Sequence, residues 1–208
     1  MKTVTCDSTV TIDSPIGPIT LKALGDAVVK VDLLGLNPSP AGEAFDGYAP
    51  EGAPMTAGGS AGSDALYTGG TKSDPSPALV EATSQLRDFF AGKRKTLDFK
   101  VALDGTEFQR AVWGQIAKVG FGEVITYAEI ARRIGNPSAV RAVGGAVGSN
   151  PVPLVIGCHR ILGSGDKITG YSGGDGLPTK RWLLAHEGIG YRDVPEVRRD
   201  AETPLKLE

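Results

Sequence analysis

Three observations predict an α+β fold in two units. Residues 9 to 34 alternate apolar and polar side chains between turn signals, as an antiparallel meander does. A single helical pattern follows from Ser76. From Gly105 onward, short helical patterns with their own start and stop signals predominate. A chain of 208 residues can hold one large domain or two small ones, and 40% apolar with 22% charged residues is ordinary for a globular protein.

In the meander, Val10 and Ile12 face one side, Ser14-Pro-Ile-Gly17 turns the chain, Ile19 and Leu21 resume the alternation, and Gly25-Asp26 leads into Val28 to Leu34. Residues 37 to 76 change abruptly to Gly, Pro, Ser and Ala, which predicts a long flexible surface loop. Ser76-Pro77 then starts a helix with Leu79, Ala82, Leu86 and Phe89 on one face and Gly92 near its end. Leu97, Phe99 and Val101 alternate as one further strand. These residues, 1 to 104, make an N-terminal α+β unit.

The second unit spans 105 to 191. Thr106 and Gln109 form a capping-box pattern ahead of Phe108, Val112 and Ile116, and Thr126 with Glu129 forms another. Tyr127 to Ile134 reads as a helix stopped at Gly135-Asn136-Pro137, with a second helix from Pro137 to about Val147. Two short helices joined by a tight glycine turn make a helix-turn-helix pattern. The second helix contains Gly144 and Gly145, which cost about 1 kcal/mol each against Ala in a helix interior. Two readings fit that cost. Either a ligand such as a nucleic-acid groove approaches closely and Arg141 reaches into it, or the helix packs tightly on its neighbours with Arg141 solvated.

Pro151 and Pro153 exclude a helix, and Leu154 to Ile156 have the length of a buried strand that would deliver Gly157, Cys158, His159 and Arg160. An imidazole and a guanidinium beside a thiol can make and hold a thiolate, although a structural cysteine would explain Cys158 taken alone. Lys167 to Thr169 is a possible short strand, Gly170 to Gly174 a loop, and Pro178 to His186 a final helix burying Trp182 and Leu183. The charged tail, 192 to 208, reads as extended or disordered.

Net charge is -2, but residues 105 to 192 carry ten basic and six acidic side chains, so this block is the candidate nucleic-acid face. The N-terminus lacks a signal-peptide apolar block and nothing reads as a membrane span. Two distant cysteines suit a reducing cytoplasm. No Cys/His cluster has zinc-ligand spacing.

Six segments, Gly122-Glu-Val-Ile-Thr-Tyr127, Arg141-Ala-Val-Gly-Gly145, Asn150-Pro-Val-Pro153, Cys158-His-Arg160, Gly170-Tyr-Ser-Gly-Gly174 and Trp182 to Gly188, together resemble the O6-alkylguanine-DNA alkyltransferase family, in family order. The resemblance implies a small N-terminal ribonuclease-H-like sheet-and-helix domain and a C-terminal winged-helix-like domain carrying the helix-turn-helix. It implies a single-turnover repair reaction: a flipped O6-alkylguanine, and O4-alkylthymine as a second substrate, gives its alkyl group irreversibly to Cys158. His159 would be the water-mediated base and Glu187 its orienting carboxylate. Asn150 would brace the helix-turn-helix against the active-site strand, and Tyr127 would hydrogen-bond the flipped base.

By the same resemblance, Arg141 fills the gap left in the stack, and Ala139, Ala142, Gly144, Gly145 and Ser149 join Tyr127 and Arg141 against the minor groove of duplex DNA. Val147, Pro153, Ile161, Tyr171 and Ser172 form the base pocket. No cofactor and no metal are implied, Cys6 is incidental, and a cytoplasmic monomer is expected. Gly157 stands where the family usually has proline, which predicts a looser turn, and Val147 where a larger apolar residue is common. Two other function classes compete with this reading. A non-catalytic alkylguanine-binding protein would lack the acceptor Cys158, and a plain helix-turn-helix regulator would make Cys158-His-Arg160 a coincidence. A cysteine hydrolase is disfavoured because nothing suggests an oxyanion hole.

Overall fold

The computed structural model describes residues 6–36 and 76–193. The loop expected over 37 to 76 and the tail from 192 lie almost wholly outside the described residues.

The meander forms as the alternation predicts. Strands β1 (Ser8–Ile12), β2 (Ile19–Leu24) and β3 (Ala27–Leu33) make an antiparallel sheet in that order. Val10 pairs with Leu21 and Leu21 with Val31, so one face collects the buried Val10, Ile12, Ile19, Leu21, Val31 and Leu33. The connection between β1 and β2 needs Gly17, whose φ is 92°, and Ser14 Oγ donates to the Gly17 carbonyl at 2.5 Å.

Helix α1 (Pro77–Phe90) starts on proline and lays Leu79, Ala82, Leu86 and Phe89 into the core. The expected strand at 97 to 101 is reduced to one bridge, Val101 to Val28. Its backbone is diverted because the buried Gln85 of α1 accepts the Asp98 N–H at 2.9 Å, an amide that strand pairing would otherwise use.

Helix α2 (Glu107–Ile116) has the complete capping box: Thr106 Oγ1 accepts from Gln109 N and Gln109 Oε1 accepts from Thr106 N. Strand β4 (Ile125–Thr126) leads into helix α3 (Tyr127–Arg133), where only half of the second box forms. Thr126 Oγ1 accepts from Glu129 N at 3.1 Å, but the Glu129 carboxylate turns to Arg132 and Arg133. The second helix of the pair opens as a 3-10 turn at Pro137–Ala139 before helix α4 (Val140–Gly148). Its carbonyl at Ala146 accepts from Trp113 Nε1 at 2.8 Å, fixing α4 on α2.

Strand β5 (Ile161–Leu162) pairs in parallel with β4, a contact too short for sequence periodicity to reveal. At Lys167 the expected strand is a single bridge to Arg192. Helix α5 (Leu177–His186) buries Leu183 and Leu184, while Trp182 is half-buried. Its last residue, His186, donates from Nε2 to the Phe89 carbonyl at 2.9 Å and stacks on Trp182 at 5.0 Å. Buried residues from both sides of residue 104 therefore pack in one continuous core. No helix among the described residues is long and apolar enough to cross a membrane.

Candidate active site

The segment before Cys158 is a turn, which corrects the expected buried strand. Leu154 has φ 76°, outside any strand geometry and uncommon for a residue with a side chain. Ile156 N donates to the Val152 carbonyl at 3.0 Å. Asn150 clamps the turn from inside, accepting from Val152 N at 3.1 Å and donating to the Ile156 carbonyl at 2.8 Å. The brace expected of Asn150 joins the helix-turn-helix to a strand; the bonds shown here hold its own turn. Leu154 and Ile156 are buried because the turn folds into the core, and a short apolar run reads alike in both cases.

Gly157 is not the loose joint expected. Its φ of -68° and ψ of 64°, with Cys158 N donating to the Ile156 carbonyl at 2.7 Å, define an inverse γ-turn. Its φ is the one proline would impose, yet a Cβ here would stand 3.0 Å from the Arg160 side chain. A 3-10 turn, Cys158–Arg160, then presents the three reactive side chains at different angles.

Glu187, just past the end of α5, gathers them. One carboxylate oxygen accepts from His159 Nε2 at 2.8 Å and Arg160 Nη2 at 2.9 Å. The other accepts from Arg160 Nε at 2.8 Å and Gly122 N at 3.2 Å. Burial alone would raise the Glu187 pKa, but the hydrogen bonds from His159 and Arg160 outweigh it and hold the group at about 2. Burial pushes the His159 imidazole down, against the pull of Glu187, which favours the neutral ring. With Nε2 donating to a carboxylate, the lone pair sits on Nδ1, which is buried and has no hydrogen-bond partner.

Burial also pushes the Cys158 thiol up, while Asn150, Tyr171 and Lys180 draw it back. Both shifts favour the uncharged forms of the thiol and the imidazole. Arg160, expected to help hold a thiolate, is committed instead to Glu187 and, through Nη1 at 2.7 Å, to the Val119 carbonyl.

Cys158 opens on a cavity of about 220 Å³ lined by Tyr127, Gly144, Val147, Gly148, Gly170, Tyr171 and Ser172. The Cys158 thiol lies 4.0 Å from Tyr171 Oη. Tyr127 Oη accepts from Thr169 Oγ1 at 3.3 Å, and Ser172 Oγ donates to the Gly148 carbonyl at 3.3 Å. Of the expected pocket residues, Pro153 and Ile161 do not line this cavity. Pro153 is buried in the turn, and Ile161 lies in β5 with its carbonyl accepting from Lys180 Nζ at 2.6 Å. Gly148 and Gly170 were missed, as was Lys180, a fully buried ammonium that also donates to the Thr169 carbonyl at 3.2 Å.

On α4, Val143, Ala146 and Val147 face the core, while Arg141, Ala142 and Gly145 are exposed; Ala139, in the preceding 3-10 turn, is half-buried. A Cβ at Gly144 or Gly145 would meet nothing within 4 Å, so internal packing does not require these glycines. Ser149 is pinned between Gln109 Nε2 and the Ala146 carbonyl, both at 2.9 Å. Cys6 is exposed, and among the described residues no group of three or more His, Cys, Asp or Glu side chains could hold a metal ion.

A buried cysteine facing a cavity at the root of a helix-turn-helix fits a protein whose own thiol is the reagent. Residues 107–189 match the family described as 6-O-methylguanine DNA methyltransferase, DNA binding domain. A methylated-DNA-protein-cysteine methyltransferase of Mycobacterium bovis is 36% identical over 178 residues, 85% of this chain and 90% of that protein. One of Methanosarcina acetivorans is 48% identical over 108 residues, 52% of this chain and 68% of that protein. The crystal structure of Mycobacterium tuberculosis OGT in complex with DNA superposes with a TM-score of 0.62 at 34% identity, covering 86% of this chain and 91% of that one. The chain belongs to the methylated-DNA-protein-cysteine methyltransferase family.

Proposed function

We propose that the protein reverses alkylation damage in DNA directly, moving the alkyl group of O6-alkylguanine onto Cys158. The observation that carries this reading is Cys158 on a cavity, next in sequence to His159, whose Nε2 is held by Glu187 and whose buried Nδ1 has no partner. The thiol proton passes to His159 through a water. The thiolate attacks the alkyl carbon, an S–C bond forms, and the C–O6 bond breaks with its electron pair leaving on the guanine, which takes up a proton. A thioether is not hydrolysed by this machinery, so each molecule acts once.

The flipped base occupies the cavity between Tyr127 and Tyr171, with Val147 and Ser172 at its edges and Pro153 and Ile161 behind the wall. The α4 face of Ala139, Arg141, Ala142, Gly144 and Gly145, with Ser149 at its end, enters the minor groove, and Arg141 fills the space that the base leaves. Open space over both glycines supports this. In architecture, 1–104 is a ribonuclease-H-like sheet and helix, 105–191 a winged-helix-like catalytic unit and 192–208 a tail, acting as a monomer. The meander under α1, and α3 with α4, support that division.

Incubation with duplex DNA carrying O6-methylguanine will add one methyl group per protein, located on Cys158 by peptide mass spectrometry. Multiple turnover, or methyl on another residue, rules the mechanism out. The same assay with O4-alkylthymine tests the second substrate. Arg141→Ala will slow repair of duplex lesions more than reaction with free benzylated guanine, and equal losses would remove Arg141 from base flipping.

A further inference from the structure

The cavity wall formed by Gly170, Tyr171 and Ser172 belongs to a glycine-rich loop. Gly173, Gly174 and Gly176 follow, and Gly174 and Gly176 have φ of 54° and 75°. Glycines at such positions leave many backbone states to be suppressed. Outside contacts from the end of β3 suppress them. Gly174 N donates to the Leu33 carbonyl at 3.1 Å, and the Asp175 carboxylate accepts from Leu36 N at 2.8 Å. Gly35, with φ 79°, lies so close that a Cβ there would overlap that carboxylate. A Cβ on Gly173 would stand 2.9 Å from the Tyr171 ring and 3.0 Å from Leu33 Cδ1. The Asp175 amide is itself taken by Thr179 Oγ1 at 3.0 Å, which ties the same residue to α5.

We propose that Asp175, latched to the Leu36 amide at the end of the N-terminal sheet, is a positioning residue that sets the Tyr171 wall of the alkyl pocket. The inference rests on the alkyl-transfer reading above. Through it the N-terminal unit acts on the reaction without touching substrate. Asp175 is exposed, so its replacement leaves the core intact.

The test is single-turnover methylation of Cys158 with protein in increasing excess over a methylated duplex, alongside reaction with free benzylated guanine. If wild-type protein fails to methylate Cys158, the alkyl-transfer reading itself is lost, and the latch with it. With wild type active, Asp175→Ala lowers the maximal rate constant about tenfold on both substrates and leaves the half-saturating concentration for duplex unchanged. Asp175→Asn, which keeps an acceptor for Leu36 N, restores most of the rate. Hydrogen exchange at the Leu36 amide accelerates in the Ala variant and not in the Asn variant. An unchanged maximal rate in Asp175→Ala, a loss confined to duplex half-saturation, or an Asn variant as slow as Ala overturns the proposal.

Discussion

Glu187 accepts four hydrogen bonds, and its removal leaves Arg160 as a buried cation without its carboxylate. Glu187→Gln should therefore cost several-fold or more in the methylation rate and about 3 kcal/mol in stability, read by denaturant unfolding. The pH dependence follows from the sign of the shift. Held at about 2 in the folded protein against an ordinary 4.5, Glu187 contributes stability that is complete above pH 4.5 and is lost as pH falls towards 2. Acid unfolding of Glu187→Gln should have a shallower slope in that window, and an identical slope would refute the assignment. Burial lowers Lys180 from 10.5 to about 8, so a linkage of the same sign recurs at higher pH. The unfolded chain binds the extra proton between pH 8 and 10.5, stability gains across that interval, and Lys180→Met should abolish the gain. Cys158, His159 and Glu187 were legible because their order along the chain carries the family resemblance. Arg160 and Lys180 were not, since long cationic side chains find partners up to 41 residues away that no local pattern encodes.

At the scale of elements, α4 carries two interior glycines that its packing does not require. Gly145 has φ and surroundings open to a side chain, so Gly145→Ala should raise helix stability by about 0.5–1 kcal/mol while weakening binding to duplex DNA. A thermal melt and a fluorescence-anisotropy titration on one sample would separate the two effects. Unchanged affinity would mean that nothing approaches that face. Elements with long periodicity were readable in advance: the meander, α1, α2 and α5 all form within a few residues of expectation. The failures share one cause. At 97 to 101 and 154 to 156 the apolar pattern is strand-like, but a side chain elsewhere, Gln85 in one case and Asn150 in the other, takes the backbone groups that pairing needs. Parallel pairing of two residues in β4 and β5 leaves no periodic trace at all.

Across the whole molecule, the basic excess of residues 105 to 192 is set against an overall charge of -2. Duplex affinity should fall with salt along a shallow line, since few phosphates are neutralised. The aromatic contact of Phe89 with Phe121 and His186 joins α1 to the catalytic unit, and Phe89→Ala should cost about 3–5 kcal/mol and lower the melting temperature in a single transition. Two separate transitions would show that the units fold independently.

The hydrogen bond from Val31 N to the Pro151 carbonyl, at 2.9 Å, has a practical corollary for protein engineering. A shortened version begun at residue 105 would keep Cys158, His159 and Glu187 yet lose the strand that holds Pro151. Miniaturisation of this scaffold has to carry β3 along, or supply an artificial strand in its place.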